Sequence, residues 1–389
     1  MNIKETDNKL IERINKILLQ VTNKQALEKV IESGHNGPYH DSETLVRNYS
    51  HWIITLTYLY YLSGELDYKS RVHALAEFLY SQDARPNGFS FHHRNGHKDK
   101  CNGLIGQAWT FEALVKASEI LGDSKYAQLA EDVFFQHNFN DQYGLWNRLE
   151  IDGENLSIDL TFNHQLWFAS CASLLKTPKE AQIKTMVTRF LDCLIENVTV
   201  LNNGLIYHPI ERKIHDKYNR YSLKGWVKKI AVRVIKILLF KNDIQKAETN
   251  KIMIDKSIGY HQFNMYALAM LKEQMPEHLI WKSDIIINAV DYMLTDDFIQ
   301  GIEDNKYGFP YNPPGFEVPF ALNVLGDLGE QELKQYTEFW MNKQFDKCYN
   351  PITSSMDRNT EDPITHNARF YEVTRLLDMK DVQKISLDC

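Results

Sequence analysis

Six stretches of this chain are apolar almost all the way round a helix, and an amphipathic stretch follows nearly every one. The first, over residues 45–62, carries Tyr49, Trp52, Ile53, Ile54, Leu56, Tyr58, Leu59 and Tyr60. A helix apolar on every side has to be buried on every side, whereas a helix with a charged face lies at a surface. The helix expected at 66–82 is of the second kind, with Lys69, Arg71 and Glu77 on one face. The pair therefore reads as the inner and outer helices of one hairpin. The pairing recurs: inner 103–121 with outer 124–136, inner 160–175 with outer 179–197, inner 258–273 with outer 281–295, inner 315–325 with outer 330–344, and a last inner helix at 363–377. Inner helices start near 45, 103, 160, 258, 315 and 363, about 50–60 residues apart, with one gap of about 98. Units repeating at such a period bury their apolar faces only against one another, so they have to be stacked or closed into a ring.

A second repeat lies in the connections that lead into inner helices. Gly88-Phe89-Ser90-Phe91-His92, Gly144-Leu145-Trp146-Asn147-Arg148, Gly204-Leu205-Ile206-Tyr207-His208 and Gly308-Phe309-Pro310-Tyr311-Asn312 share one form. They read as short strand-like loops rimming one end of the ring. The stretch 101–114 (CNGLIGQAWTFEAL) opens with two glycines and then becomes an inner helix. Its first turn can point backbone N–H groups at a ligand. Gln107 and Trp109 lie about half a turn apart; Gln107 is expected at the pocket and Trp109 in the packing. Asp41 or Ser42 is the expected cap of the first inner helix.

Composition removes several classes of function. The chain has 389 residues, 43% of them hydrophobic, enough for one large core. A net charge of −7 argues against a nucleic-acid partner. The cysteines, Cys101, Cys171, Cys193, Cys348 and Cys389, are scattered and free of CxxC, so they read as reduced thiols of a cytoplasmic protein. The N-terminal stretch reads as a charged amphipathic helix over 5–32, not a signal peptide. No run of about 18 apolar residues exists to span a membrane. The long gap holds an insertion at 199–250. Within 212–241, Arg212, Lys213, Lys217, Arg220, Lys224, Lys228, Lys229, Arg233, Lys236 and Lys241 face a single acid, Asp216, and Trp226 starts an apolar face. Such a basic amphipathic segment suits an anionic membrane surface, at the inner membrane face, or a second subunit.

Six inner–outer hairpins with Gly-aromatic loops resemble the (α/α)6 toroids of carbohydrate-active enzymes. That group includes the six-hairpin glycosidases, the unsaturated glucuronyl hydrolases and the N-acylglucosamine 2-epimerase superfamily. The resemblance covers about 40–378 and is best at Asn102–Leu114 and Asp159–Phe168. It implies an all-α fold, an (α/α)6 barrel as one domain over 1–389, with residues 1–40 as a lead-in. It also implies a carbohydrate substrate, in a cleft where the inner helices begin. The lanthionine-cyclase toroid is excluded because its Cys-His-Gly element is missing, and the terpene-cyclase toroid because its Asp-rich motif is.

A sugar site needs aromatic faces for ring C–H surfaces and planar polar groups for hydroxyls. The inner-helix starts and rim loops supply Tyr49, His51, Trp52, His92, His93, Arg94, Gln107, Trp146, Arg148, Asn163, Trp167, Tyr260, Asn264, Tyr311, Glu317, Asn367 and Arg369 as candidate contacts. His164, His261 and His366 stand in comparable first-turn positions and are candidate acid–base groups for sugar epimerisation. Hydrolysis needs two carboxyl groups across the cleft, with Asp99 and Asp159 the leading candidates. Asp159 has an alternative role as a helix cap. No HExxH motif or other ordered ligand spacing is present, so neither a metal nor a cofactor is expected. Glycosidase-type cleavage of an oligo- or polysaccharide, uronate-containing or lipid-linked, in surface-glycan synthesis leads. An epimerase, a polysaccharide lyase and a non-catalytic glycan-binding scaffold are the alternatives.

Overall fold

A computed structural model describes residues 3–27, 31–214 and 243–377. The basic segment expected to meet a membrane or a second subunit lies outside the described residues from 215 on. Its first base, Arg212, is tied to the ring through Glu196 and Asn197.

Six inner helical segments form the ring. They are Leu45–Ser63, Gly103–Leu121, Phe162–Ala172, Asp243–Gln274, Pro314–Leu325 and a last segment that begins at Pro363–Ala368. Each packs on the next, and the last packs back on the first, so the ring closes as an (α/α)6 toroid. Outer helices Leu66–Tyr80, Lys125–Gln136, Glu180–Asp192, Asp284–Tyr292 and Glu330–Cys348 surround it. The N-terminal helix, Ile3–Leu27, supplies the sixth outer position by burying Ile14, Ile17, Leu18 and Val21. It bridges the ends of the ring: Asn15 accepts from Tyr58 (2.8 Å), and Arg13 donates to Asn342 (2.6 Å).

Three boundaries differ from the sequence reading. The fourth inner helix is already formed at Asp243, where the described residues resume, rather than starting near 258, because nothing between the two positions breaks a helix. Thr44 caps the first inner helix by accepting from Val46 N (3.3 Å), while Asp41 pairs with Lys98 instead. The last inner helix tightens to a 3-10 turn over Arg369–Val373, where Arg369 is held by four side chains and carbonyls.

The Gly-aromatic loops are fastened to the inner helices by one repeated device. Gln107 Oε1 accepts from Phe91 N (2.8 Å), and its amide nitrogen donates to the carbonyls of Phe91 and Cys101. Gln165 does the same for Trp146 N (2.9 Å) and the carbonyls of Trp146 and Asp159. In the next repeat His261 Nδ1 accepts from Ile206 N (3.2 Å). These side chains satisfy loop N–H groups that burial would otherwise leave unpaired. The loop at 144–148 becomes the central strand of a three-stranded antiparallel sheet. Gln165→Leu is expected to lower stability by about 1–3 kcal/mol, the cost of stranding buried polar groups. Urea unfolding would check this.

The centre of the ring is polar. Arg47 pairs with Glu43 (2.9 Å), Arg375 with Glu112, and Arg369 with both Glu317 (2.8 Å) and Glu372 (2.7 Å). Burial, then Glu372, pushes the Glu317 carboxyl well above its ordinary range. Glu372 is pushed up as well, first by burial, so two buried acids share one guanidinium.

Candidate functional site

A cleft of about 160 Å³ opens at the end where the inner helices begin. That is close to the roughly 150 Å³ that takes one six-membered ring in an engineered cavity. The lead-in loop contributes Asn36, Tyr39 and Asp41, and the loop before the second inner helix contributes Arg94 and Lys98. The second, third and fourth inner helices present Asn102, Ile105 and Trp109; Asn163 and His164; and Lys256, Tyr260 and Phe263. Thr161, His208, Tyr311 and Asn312 come from the loops between them.

Asp159 and His164 form a hydrogen-bonded pair at the cleft wall. Asp159 is buried, and its Oδ2 accepts from His164 Nδ1 (2.8 Å) and Leu104 N (3.2 Å). Its Oδ1 accepts from Thr161 N (3.1 Å). Burial alone would raise the carboxyl, but His164, Arg148 and the amide of Leu104 outweigh it and hold Asp159 well below the usual carboxylate range. An ionised Asp159 needs a proton on Nδ1 of His164. The other ring nitrogen, Nε2, then faces the cleft as a base, or as an acid once protonated. His208 lines the same cleft; burial, then Lys256, lowers its pKa and keeps it neutral.

The stretch 101–114 builds this pair. Asn102 (φ 56°) and Gly103 (φ 59°) are both left-handed, which turns the Leu104 N–H toward Asp159. The helix N-terminus thus serves a carboxylate of the neighbouring hairpin rather than a ligand. A Cβ on Gly103 would sit 2.6 Å from both Asp159 Oδ2 and His164 Nδ1. Gly103→Ala is therefore expected to displace the pair. Stability should be lowered by more than about 1 kcal/mol because a non-glycine residue is strained there; thermal melting would check it.

Of the residues singled out in the sequence, Arg94, Asn163, His164, Tyr260 and Tyr311 line the cleft, with Asp159 directly behind His164. Asn163 Oδ1 is buried and unpartnered there. Tyr260 and Tyr39 join hydroxyls (2.9 Å), and Tyr311 donates to Asn36 (2.6 Å).

The others stand elsewhere. Asp99 is held between Arg94 and Arg148 and receives Gly103 N, so it fastens the loop. His261 uses both ring nitrogens, the second on the Ala289 carbonyl (2.8 Å), and burial takes its pKa to about 4. His366 is buried at the sixth inner segment, lowered to about 4 by burial and then Arg369. His51 stacks on Tyr371 (4.4 Å), and His93 meets Thr110 (3.1 Å). Tyr49 packs on Phe78, and His92 meets the Arg94 carbonyl. Trp52, Trp146 and Trp167 are core, with Trp167 stacked on Phe263 (4.4 Å). Gln107 fastens a loop, Asn264 is wholly buried, Asn367 accepts from Met356 N (2.7 Å), and Glu317 and Arg369 form the central ion cluster.

Asn36, Tyr39, Ile105 and Lys256 line the cleft but escaped the sequence reading. Trp109 is in the cleft and Gln107 is not, the reverse of the expectation. Asn102, Ile105 and Trp109 follow the spacing of one helix face, a signal present in the sequence. Arg47 lies 4.2 Å over the Trp109 ring, wholly buried, with Nη2 unpartnered. Among the described residues no group of three His, Cys, Asp or Glu side chains is placed to hold a metal ion, and no helix is long and apolar enough to cross a membrane.

Solved structures of the same architecture define the class. A D-mannose isomerase superposes with a TM-score of 0.59 at 11% identity, covering 94% of this chain and 98% of its own. The cellobiose 2-epimerase of Bacillus thermoamylovorans gives 0.60 at 10% identity, covering 93% and 98%. An unsaturated glucuronyl hydrolase specific for heparin gives 0.56 at 11%, covering 97% and 98%. At such identities the likeness establishes a shared (α/α)6 toroid. No protein-family profile matches the chain. Archaeal glycosylation protein Q of Haloferax volcanii is 40% identical over 349 residues, covering 89% of this chain and 91% of that protein. This chain belongs to the archaeal glycosylation protein Q family.

Proposed function

We propose that this protein is a carbohydrate-active enzyme of glycan assembly or remodelling, and that its cleft moves a proton on a bound sugar with His164 as the acid–base group. The Asp159–His164 pair carries the reading: a buried, ionised carboxylate fixes Nδ1 and leaves Nε2 open to the cleft. The name of the Haloferax volcanii relative supports the glycan setting. The faces of Trp109, Tyr260 and Phe263 suit ring C–H surfaces, and the amides of Asn36, Asn163 and Asn312 suit hydroxyls.

Two histidines on one cleft suit epimerisation or isomerisation. His164 Nε2 takes the proton from a carbon beside a carbonyl, and the neutral imidazole of His208 stands ready as the second group. Inverting hydrolysis, the leading expectation from sequence, needs two carboxyl groups roughly 6.5–9.5 Å apart across the substrate. Among the described residues the cleft lining holds one carboxyl, Asp41, which Lys98 and Arg94 already engage. His164→Gln should keep sugar affinity within a few-fold and lower turnover at least 100-fold. Turnover that survives this change would remove His164 from the chemistry.

A further inference from the structure

The cationic side chains around the cleft are not equally satisfied. Arg94 and Lys98 engage Asp41, and Arg94 and Arg148 engage Asp99. Lys256 makes no ion pair or hydrogen bond among the described residues, although it is half-buried in the cleft wall. Its ammonium stands 5.0 Å from the Tyr39 ring centre, 5.8 Å from Tyr260 and 5.9 Å from Tyr307. Those three rings form an aromatic cradle that holds the charge in place. The nearest charges are of the same sign: burial first, then Lys98 and Lys306, lowers the Lys256 pKa to about 8.

A half-buried cation without a counter-ion is unfavourable unless something supplies the anion. The fold around Lys256 supplies none among the described residues, and the position opens into the cleft. We propose that Lys256, cradled by Tyr39, Tyr260 and Tyr307, binds an anionic group of the sugar substrate. The inference rests on the reading of this cleft as a carbohydrate site. The shared chemistry is an oxyanion met by a point charge, and it has two sources: the carboxylate of a uronic acid or the phosphate of a phosphorylated sugar.

Equilibrium binding of D-glucuronate, D-glucose 6-phosphate and D-glucose to the full chain separates the outcomes. Wild-type protein should bind at least one charged sugar tenfold or more tightly than glucose, and the preferred one names the source. Lys256→Met should remove that preference while glucose affinity stays within twofold, and Lys256→Arg should retain it. His164→Gln should also retain it, so loss of turnover and loss of charge recognition are read separately. Equal affinity for charged and neutral sugars, or a preference that survives in Lys256→Met, overturns the proposal and leaves the carbohydrate reading intact. Failure of all three sugars to bind overturns both.

Discussion

Replacing Asp159 with asparagine is expected to lower turnover by about 10² to 10⁴ while sugar affinity stays within a few-fold, the scale on which positioned acid–base groups act. The carboxylate accepts from His164 Nδ1 at 2.8 Å and from the amides of Leu104 and Thr161. An asparagine that keeps its oxygen on Thr161 N has no acceptor left for Leu104 N. It then presents an NH₂ to Nδ1, which favours the tautomer with the proton on Nε2 and leaves His164 without a basic nitrogen facing the cleft. Steady-state kinetics beside sugar titrations would separate this result from loss of fold. A pH effect accompanies it. Because the folded pKa of Asp159 is depressed, its stabilising share is complete above the unfolded value, about pH 4, and is lost as pH falls toward the folded value. Asp159→Asn should remove that part of the acid sensitivity, measured as urea midpoints at pH 7 and pH 3.

The largest effect on stability is expected at Arg369. Its guanidinium reaches Glu317, Glu372, Asn312 and the Tyr311 carbonyl, all in the interior. Arg369→Met would leave two buried acids facing each other with no cation. Breaking a buried pair in this way costs about 3–5 kcal/mol, which lowers the melting midpoint by roughly 4–6 °C in a chain of this size. Glu317→Gln makes the opposite test. Burial and Glu372 push the Glu317 carboxyl toward its neutral form, so an amide of the same shape should cost less than about 1 kcal/mol. Equal losses from both substitutions would contradict this reading of Glu317.

The ring itself was legible in the sequence because burial on every side forces apolar residues round the whole helix. Trp52, Phe111 and Phe168 report that directly. The rim loops were legible as repeats, but their purpose was not. Gln107 reads the same whether its amide meets a sugar or the backbone of Phe91, and His261 reads the same whether it transfers a proton or holds Ile206 N. Polar residues inside a toroid serve both ends, and sequence records only their type. Lys256 was missed because the fourth inner helix was started after it, and Arg47 because it sits on a helix that reads as wholly apolar. Tyr39 and Asn36 lay in what read as a lead-in; they reach the cleft because Asp362, across the closing seam of the ring, accepts from His35 N (2.9 Å) and Gly37 N (3.2 Å). Asp159 and His164 stood out in the sequence because they bracket a helix start, yet their pairing depends on Gly103 in another hairpin.

The central claim is that the Asp159–His164 pair transfers a proton on a bound sugar. Incubating the full chain with its sugar substrate in deuterated water and following the ring carbons by NMR tests it most directly. Wild-type protein should place deuterium at one carbon, His164→Gln and Asp159→Asn should show no exchange, and no new reducing ends should form. Release of reducing ends without deuterium at carbon, or exchange that persists in both variants, would contradict it.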